Sequence, residues 1–290
     1  MKYLNYLTIF ILCFSCTSNR PDPRVRLKNS SKLYYQLQNY PQSFKPYEES
    51  GGTYVIDYSR TGADDLQWFP DELEVLKSKG NLVLSYFSIG EAENYRFYYK
   101  NLDKSLIIKE NPSWPGNFVV KYWDPSWLDI LVTGKKSYLG KILTQGFDGV
   151  YLDIVDAFWG FKDKKKSAER MLTLLKEIRK KIGKDRVLIV QNASSIYHYL
   201  KNKEEFFKVI DGIGSESTFF HGKKDMNNKY NPQKYVLDNL DVFKSQGKKV
   251  FTIEYVNQKN LVEKFVELST KRGFVPLATD KALKGKIFNK

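Results

Sequence analysis

Acidic side chains follow several β-rich segments of this 290-residue chain. The segment GVYLD ends at Asp153, with Asp156 shortly after it, and the segment IDGIGSE ends at Glu216. The other polar residues at such segment ends are Asp57, Glu91, Glu93, Asn192, Glu254 and Tyr255. Carboxyl groups that crowd one site raise one another's pKa values, so that one carries a proton while another is ionised. Hydrolysis of a glycosidic bond requires a pair of this kind.

Other reaction chemistries fit the sequence poorly. His198 and His221 are the only histidines, and neither has a cysteine or histidine partner at the spacing of a metal site. The only cysteines, Cys13 and Cys16, lie near the N-terminus, and the segment GIGSES lacks the second glycine of a GxSxG nucleophile motif. We therefore expect neither a metal nor another cofactor. A divalent cation bound by carboxylates alone stays open as an alternative.

Segments typical of β-strands alternate with amphipathic segments along the chain. The candidate strands are residues 33–38, 53–58, 82–89, 118–123, 149–154, 187–192, 210–216, 249–255 and 274–280. Helical periodicity is found over residues 69–80, 127–146 and 171–183, and each of these segments ends at a glycine. Strands that alternate with helices predict parallel βαβ units.

This alternation predicts an α/β fold, a (β/α)8 TIM barrel, as a single domain over residues 33–290. A doubly wound open sheet is the alternative, but no GxGxxG or GxxxxGK[ST] loop follows a candidate strand. Because a TIM barrel has eight strands, we interpret residues 118–123 as an additional strand within an excursion, residues 90–145, between the third and fourth barrel strands. The active site of such a barrel lies at the C-terminal ends of its strands, where the acidic residues would meet.

The first 32 residues differ from the rest of the chain. An apolar run over residues 6–14 is shorter than the roughly 20 residues that cross a bilayer, which predicts a signal peptide over residues 1–15. The sequence LCFSC resembles a bacterial lipobox, so Cys16 is the predicted lipidated residue; an ordinary cleaved signal is the alternative. Residues 16–32 would then form a polar tether. We expect an exported, lipid-anchored protein at the outer membrane or cell surface.

The formal net charge is +14, with scattered lysines. A basic surface suits anionic neighbours, but no nucleic-acid-binding motif is present. We therefore expect a solvated basic face, no nucleic-acid partner and a monomer. The tryptophans are Trp68, Trp114, Trp123, Trp127 and Trp159. Flat aromatic rings suit sugar rings, so Trp114 and Trp159 are candidates for substrate contact as much as for packing, whereas Trp127 is expected to pack.

Six segments occur in the order and spacing of glycoside-hydrolase family 114: YQLQ, VIDYS, SYFSIGEAENYR, GFDGVYLDIVDAF, VQNAS and GSES. Over about residues 33 to 285, the chain resembles the bacterial and archaeal branch that carries a GEAExYR segment. The resemblance implies a (β/α)8 barrel that hydrolyses α-1,4-linked galactosamine polymers internally. It implies that Asp153, ending the fourth strand, and Glu216, ending the sixth, are the catalytic carboxylates.

The resemblance also points to a substrate cleft. The positions that it implies there are Asp57, Glu93, Arg96, Asp156 and Asn192. To these we add Tyr86, Glu91, Trp159, Glu254 and Tyr255 as candidate polysaccharide contacts.

The two catalytic carboxyl groups would have different roles. We predict that Asp153 is the ionised nucleophile or electrostatic stabiliser, because Asn192 would hydrogen-bond its charged form and keep its pKa low. Glu216 is then the general acid. Because a basic protein repels cationic polymers, the net charge favours neutral or N-acetylated polymers as substrates. One alternative is a barrel that binds a glycan at a surface without cleaving it. Another is a binder of nucleic acid or another anionic polymer that is driven by charge.

Overall fold

The computed structural model describes residues 20–40 and 50–289, and the predicted signal peptide and Cys16 lie outside these ranges. The strands in chain order are β1 (Lys32–Gln36), β2 (Gly52–Ile56), β3 (Leu82–Ser88), β4 (Glu91–Glu93), β5 (Ile107–Glu110), β6 (Asn117–Val120), β7 (Gly149–Asp153), β8 (Val187–Gln191), β9 (Gly212–Glu216), β10 (Lys249–Glu254) and β11 (Val275–Ala278). The α-helices are α1 (Pro23–Asn29), α2 (Pro70–Lys77), α3 (Pro125–Leu128), α4 (Tyr138–Thr144), α5 (Lys164–Ile182), α6 (Lys203–Val209), α7 (Lys234–Ser245) and α8 (Lys259–Lys271).

Eight parallel strands form the barrel in the order β1-β2-β3-β7-β8-β9-β10-β11. The two ends of this sheet meet beyond β11, where the N–H of Leu37 donates to the carbonyl of Leu283 at 2.9 Å and Gln36 forms a bridge with Lys284. The predicted TIM barrel is therefore confirmed. Asp153 ends the fourth barrel strand and Glu216 ends the sixth.

The excursion between β3 and β7 carries a small antiparallel sheet in the order β4-β6-β5. Strand β6 overlaps the candidate segment 118–123, so the prediction that this strand is additional to the barrel is confirmed. Because β4 begins shortly after β3 ends, the small sheet stands at the C-terminal end of the barrel and forms part of the wall of its mouth.

Alternate side chains of the barrel strands enter two apolar cores. The core inside the barrel includes Tyr35, Leu84, Tyr151 and Phe251, and a larger core lies between the strands and the helices. Helix α5 packs on the larger core through the predicted apolar residues Met171, Leu172, Leu174, Leu175, Ile178 and Ile182, all of which are buried. The helix ends at Gly183, whose φ of 75° is easily adopted by glycine.

The prediction of one amphipathic helical segment over residues 127–146 is wrong. Helix α3 continues into a π-helical turn, Asp129–Thr133, and the chain then breaks at Gly134 before α4. The N–H of Gly134 donates to the Asp129 carbonyl at 2.9 Å, and a Cβ at this glycine would lie 2.7 Å from that oxygen. The Ser137 side chain then accepts from the N–H of Gly140 and caps α4.

Part of the segment expected to be a polar tether is folded onto the barrel. Helix α1 begins after Asp22, whose side chain accepts from the N–H of Arg24 at 2.8 Å, and it buries Leu27. Arg26 is buried and pairs with Asp148 at 2.7 Å, while it also donates to the carbonyl of Asn81. Since Asn81 and Asp148 precede β3 and β7, α1 covers the end of the barrel opposite the C-terminal ends of the strands. The composition of residues 16–32 did not reveal these contacts.

Candidate active site

A cavity of about 770 Å³ opens at the C-terminal ends of the barrel strands. The residues predicted from the sequence that line it are Asp57, Tyr86, Glu91, Asp153, Asp156, Asn192, Glu216 and Tyr255. The barrel thus brings together carboxyl groups that are far apart in the chain.

Asp153 and Glu216 are joined by one amide group. Gln191 ends β8, which lies between β7 and β9 in the sheet. Its Nε2 donates to Asp153 Oδ1 at 3.0 Å and to Glu216 Oε2 at 3.1 Å. The sum of these two distances, 6.1 Å, is an upper limit for the separation of the two carboxyl oxygens.

Further donors fix both carboxyl groups. The Tyr86 hydroxyl donates to Asp153 Oδ2 at 2.8 Å, and the N–H of Ile154 donates to Asp153 Oδ1 at 2.8 Å. Glu216 accepts from Asn192 Nδ2 at 2.9 Å and from the Tyr255 hydroxyl. The predicted hydrogen bond from Asn192 to Asp153 is therefore wrong: strand β8 turns at its end, so that this side chain points towards β9.

Each of the three strands turns sharply directly after its site residue. Ile154, Asn192 and Ser217 follow Asp153, Gln191 and Glu216, and their φ values are 58°, 56° and 52°. A left-handed conformation is unfavourable for residues other than glycine, and particularly so for a β-branched isoleucine. Strain of this kind concentrates at functional sites, where surrounding contacts maintain it.

Burial changes the proton affinity of the acidic groups. Burial, followed by the charge of Glu216, raises the pKa of Asp153 to about 8, whereas the sequence led us to expect a low pKa. Burial raises the pKa of Asp156 to about 7, and the charges of Glu216 and Glu91 add to this effect. Asp153 is therefore expected to hold a proton at neutral pH in the free protein.

A layer of tyrosines underlies the pair. Tyr35 and Tyr151 belong to the core inside the barrel, and their rings lie 5.2 Å apart. Burial, with the charges of Asp153 and Glu216, raises the pKa of both phenols. They therefore stay neutral, and their rings separate the carboxyl groups from the apolar interior below.

Some predicted cleft residues do not line the cavity. Arg96 and Glu93 are buried behind its wall, where the Arg96 guanidinium pairs with Asp57 at 2.9 Å and with Glu93 at 2.6 Å. This contact holds Asp57, which does line the cavity, so Arg96 supports the wall from outside.

Glu254 and Trp159 also lie outside the cavity lining. Glu254 is buried and accepts from the N–H of Phe219 at 2.6 Å, and burial raises its pKa to about 8. Trp159 is 42% exposed and donates its indole N–H to Ser195 at 3.2 Å. Asp57, Asp156 and Asn192 keep their predicted place in the cavity, whereas Glu93, Arg96, Glu254 and Trp159 do not.

Several residues that line the cavity were not predicted from the sequence. The main ones are Tyr35, Tyr95, Asn117, Gln191, His221 and Lys281. Trp114, for which the sequence left substrate contact and packing open, lines the cavity and is half exposed. Gln191 directly precedes Asn192, and its position at a strand end was the signal that would have identified it.

The described residues show no cluster of three or more His, Cys, Asp or Glu side chains arranged to hold a metal. The cavity instead combines acidic groups with aromatic rings. Such a lining can supply an acid, a nucleophile and flat surfaces for sugar rings.

Comparison with known proteins identifies the family. The model of glycoside-hydrolase family GH114 matches residues 16–289. The chain belongs to this family. It is thus a glycoside hydrolase on a TIM barrel, and the resemblance seen in the sequence is confirmed.

Relatives of this GH114 enzyme cover most of its length. An uncharacterized protein of Methanocaldococcus jannaschii is 36% identical over 273 residues, which cover 86% of this chain and 76% of the relative. The glycoside hydrolase domain of PelA from Pseudomonas aeruginosa has a similar fold, with a TM-score of 0.66, 16% identity, and coverage of 88% of this chain and 96% of that one. Ega3 of Aspergillus fumigatus, in complex with galactosamine, has a TM-score of 0.69, 18% identity, and coverage of 92% and 96%.

The raised pKa values predict how the stability of the GH114 enzyme depends on pH. The pKa values of Asp153 and Glu254, about 8 in the folded protein, lie above their ordinary values, so protonation stabilises the folded state. This contribution is complete below the ordinary pKa values and is lost as the pH rises through about 8. We expect urea unfolding at pH 6 to require more denaturant than at pH 9. Asp153→Asn should reduce this difference, whereas the exposed-site control Asp238→Asn should retain it; equal dependence in all three proteins would contradict the prediction.

Proposed function

We propose that this GH114 enzyme cleaves a hexosamine-containing polysaccharide internally, with Asp153 and Glu216 as the catalytic carboxylates. The observation that carries the proposal is the bridged pair, in which Asp153 Oδ1 and Glu216 Oε2 are at most 6.1 Å apart in an open cavity. Two carboxyl groups at this spacing are suited to hydrolysis through a covalent intermediate.

The spacing of the pair favours retention of the anomeric configuration. When the two hydrogens of one amide nitrogen each point at a different oxygen, those oxygens lie about 5 Å apart. Retaining glycosidases have carboxyl groups about 5 Å apart, whereas inverting enzymes need roughly 6.5–9.5 Å to admit a water. In this mechanism one carboxylate attacks the anomeric carbon, while the other group, as a carboxylic acid, protonates the departing oxygen. The second group then deprotonates the water that releases the sugar.

We assign attack to Asp153 and proton transfer to Glu216. Asp153 has the shorter side chain, and the backbone N–H of Ile154 fixes one of its oxygens, which suits a nucleophile that must keep its place. Glu216 has a longer side chain, and all three donors to its carboxyl group are side chains. Because Asp153 holds a proton in the free protein, this assignment requires that substrate binding transfers the proton from Asp153 to Glu216 before attack.

The cavity suggests a cationic substrate, in contrast to the expectation from net charge. Its acidic residues are Asp57, Glu91, Asp153, Asp156 and Glu216, whereas Lys281 is its only lysine or arginine among the described residues. Glu91 accepts from Asn111 at 2.9 Å through one oxygen, while its other oxygen is buried and has no hydrogen-bond partner among the described residues. An ammonium group of a deacetylated hexosamine would be attracted to the carboxylate of Glu91, which lines the cavity. The galactosamine complex of Ega3 is consistent with this proposal.

The substrate proposal is tested with two α-1,4-linked galactosamine polymers, one deacetylated and one N-acetylated. We expect kcat/KM to be at least about tenfold higher on the deacetylated polymer, because one satisfied buried charge is worth more than about 1.4 kcal/mol. Glu91→Gln should reduce that ratio, and Glu110→Gln, at an exposed position in the small sheet, serves as the control. Equal or faster cleavage of the N-acetylated polymer would contradict the cationic substrate but not the hydrolase.

We also propose that Cys16 carries the lipid that anchors the exported enzyme. Two features support this: the lipobox-like sequence, and α1, which brings the chain to the barrel end opposite the cavity. An anchor there would leave the cavity facing away from the membrane. Within residues 20–40 and 50–289, no helix is long and apolar enough to cross a bilayer. Cys16→Ser should move the protein from the detergent phase to the aqueous phase; unchanged partitioning would contradict the anchor.

A further inference from the structure

We propose that Gln191 is a positioning residue that sets the distance between the two catalytic carboxyl groups. This inference rests on the proposed function of Asp153 and Glu216 and extends it to a residue between them. Gln191 would act through those two groups and not through direct contact with the substrate.

The sheet places Gln191 in the one position from which it reaches both groups. Strand β8 pairs with β7 on one side and with β9 on the other, so the end of β8 lies between the two catalytic strand ends. The register pairs Gln191 with Gly214, and the N–H of the following Asn192 donates to the Gly214 carbonyl at 2.9 Å. The left-handed φ of 56° at Asn192 ends the strand directly after the glutamine.

The chemistry of the amide explains how it sets the distance between the carboxyl groups. One side-chain nitrogen carries two hydrogens that point in different directions, and each has a carboxyl oxygen as its acceptor. The opposite orientation of the amide would place its oxygen against two carboxyl oxygens, which is unfavourable. Each carboxyl group is thus attracted to a separate hydrogen, which fixes the distance between the two oxygens.

Apart from these two bonds, the Gln191 side chain makes no hydrogen bond to another described residue. It is only 4% exposed, and its Oε1 has no hydrogen-bond partner there. A buried polar atom without a partner is unfavourable, so a purely structural site would favour an apolar residue. The two bonds to the catalytic carboxyl groups offset this cost.

The test replaces Gln191 by Met, which has a similar length but no hydrogen to donate. Gln145→Met is the matched control, because Gln145 is also a buried glutamine but lies at the C-terminal end of α4, away from the cavity. We expect Gln191→Met to lower kcat on the deacetylated polymer by about 100-fold, as small displacements of catalytic groups do, with little change in KM. Gln191→Leu provides a second variant if the Met variant does not fold.

A second readout does not depend on activity. Loss of a donor that favours the charged carboxylate raises its pKa, so carboxyl ¹³C NMR should show Asp153 titrating at a higher pH in Gln191→Met than in the wild type. Unchanged titration together with unchanged kcat would overturn the proposal, as would an equal loss of kcat in Gln145→Met. A shifted titration in a protein whose wild type cleaves no hexosamine polymer would support the role of Gln191 while contradicting the proposed substrate.

Discussion

Asp153→Asn and Glu216→Gln are each expected to lower turnover of a galactosamine polymer by roughly 10⁴-fold. The two residues act as one catalytic unit, so the loss of either removes most of the activity of the pair. Both substitutions preserve the size of the side chain. The amide oxygen can still accept from the donors on one side of each site, and the hydroxyls of Tyr86 and Tyr255 can accept from the new amide nitrogen instead of donating. Both variants should therefore fold normally but lose catalytic activity.

Release of reducing ends from the polymer measures this loss, and urea unfolding verifies that each variant is folded. Asp238→Asn provides a control for removal of an acidic group, because Asp238 is exposed and pairs only locally with Lys234. A folded variant of Asp153 or Glu216 with near-wild-type turnover would show that the substituted residue is not catalytic.

The second large effect is expected from a change of leaving group. Fluoride departs without a proton, so an α-galactosaminyl fluoride does not require a general acid in the first step. Glu216→Gln should therefore release fluoride in a rapid first turnover, whereas Asp153→Asn should release almost none. We expect the two initial rates to differ by roughly 10³-fold, since only one variant retains the nucleophile.

A fluoride electrode, sampled before steady state, measures the difference between the variants. The wild type and Asp238→Asn should both show sustained turnover. A rapid first turnover in Asp153→Asn, with none in Glu216→Gln, would reverse the two roles while keeping the pair.

The barrel and its extra strand were predictable because both depend on local patterns. Strands that alternate with amphipathic helices predict parallel units, and nine candidates for eight places require one strand to be additional. The positions of Asp153 and Glu216 at strand ends then predict that they meet. In a parallel barrel, the topology places the C-terminal ends of all strands at the same end of the barrel.

Side-chain direction at the strand ends was not predictable, because it depends on the turn that each chain makes there. The left-handed Asn192 directs its amide to Glu216 and leaves Gln191 to bridge the pair. Arg96 lies behind the cavity because Asp57 and Glu93 attract it from two different elements. Helix α1 was missed because its stability derives from tertiary contacts of Arg26 and Leu27, which a short polar sequence does not reveal.

The central claim is that Asp153 attacks the sugar while Glu216 transfers the proton, and mass spectrometry of the trapped intermediate tests it most directly. Glu216→Gln lacks the base that would activate water, so the glycosyl-enzyme formed from α-galactosaminyl fluoride should accumulate. Peptide mapping is predicted to find one added hexosaminyl group, attached to Asp153. A hexosaminyl group on any other residue, or rapid fluoride release with no covalent adduct at all, would contradict the account.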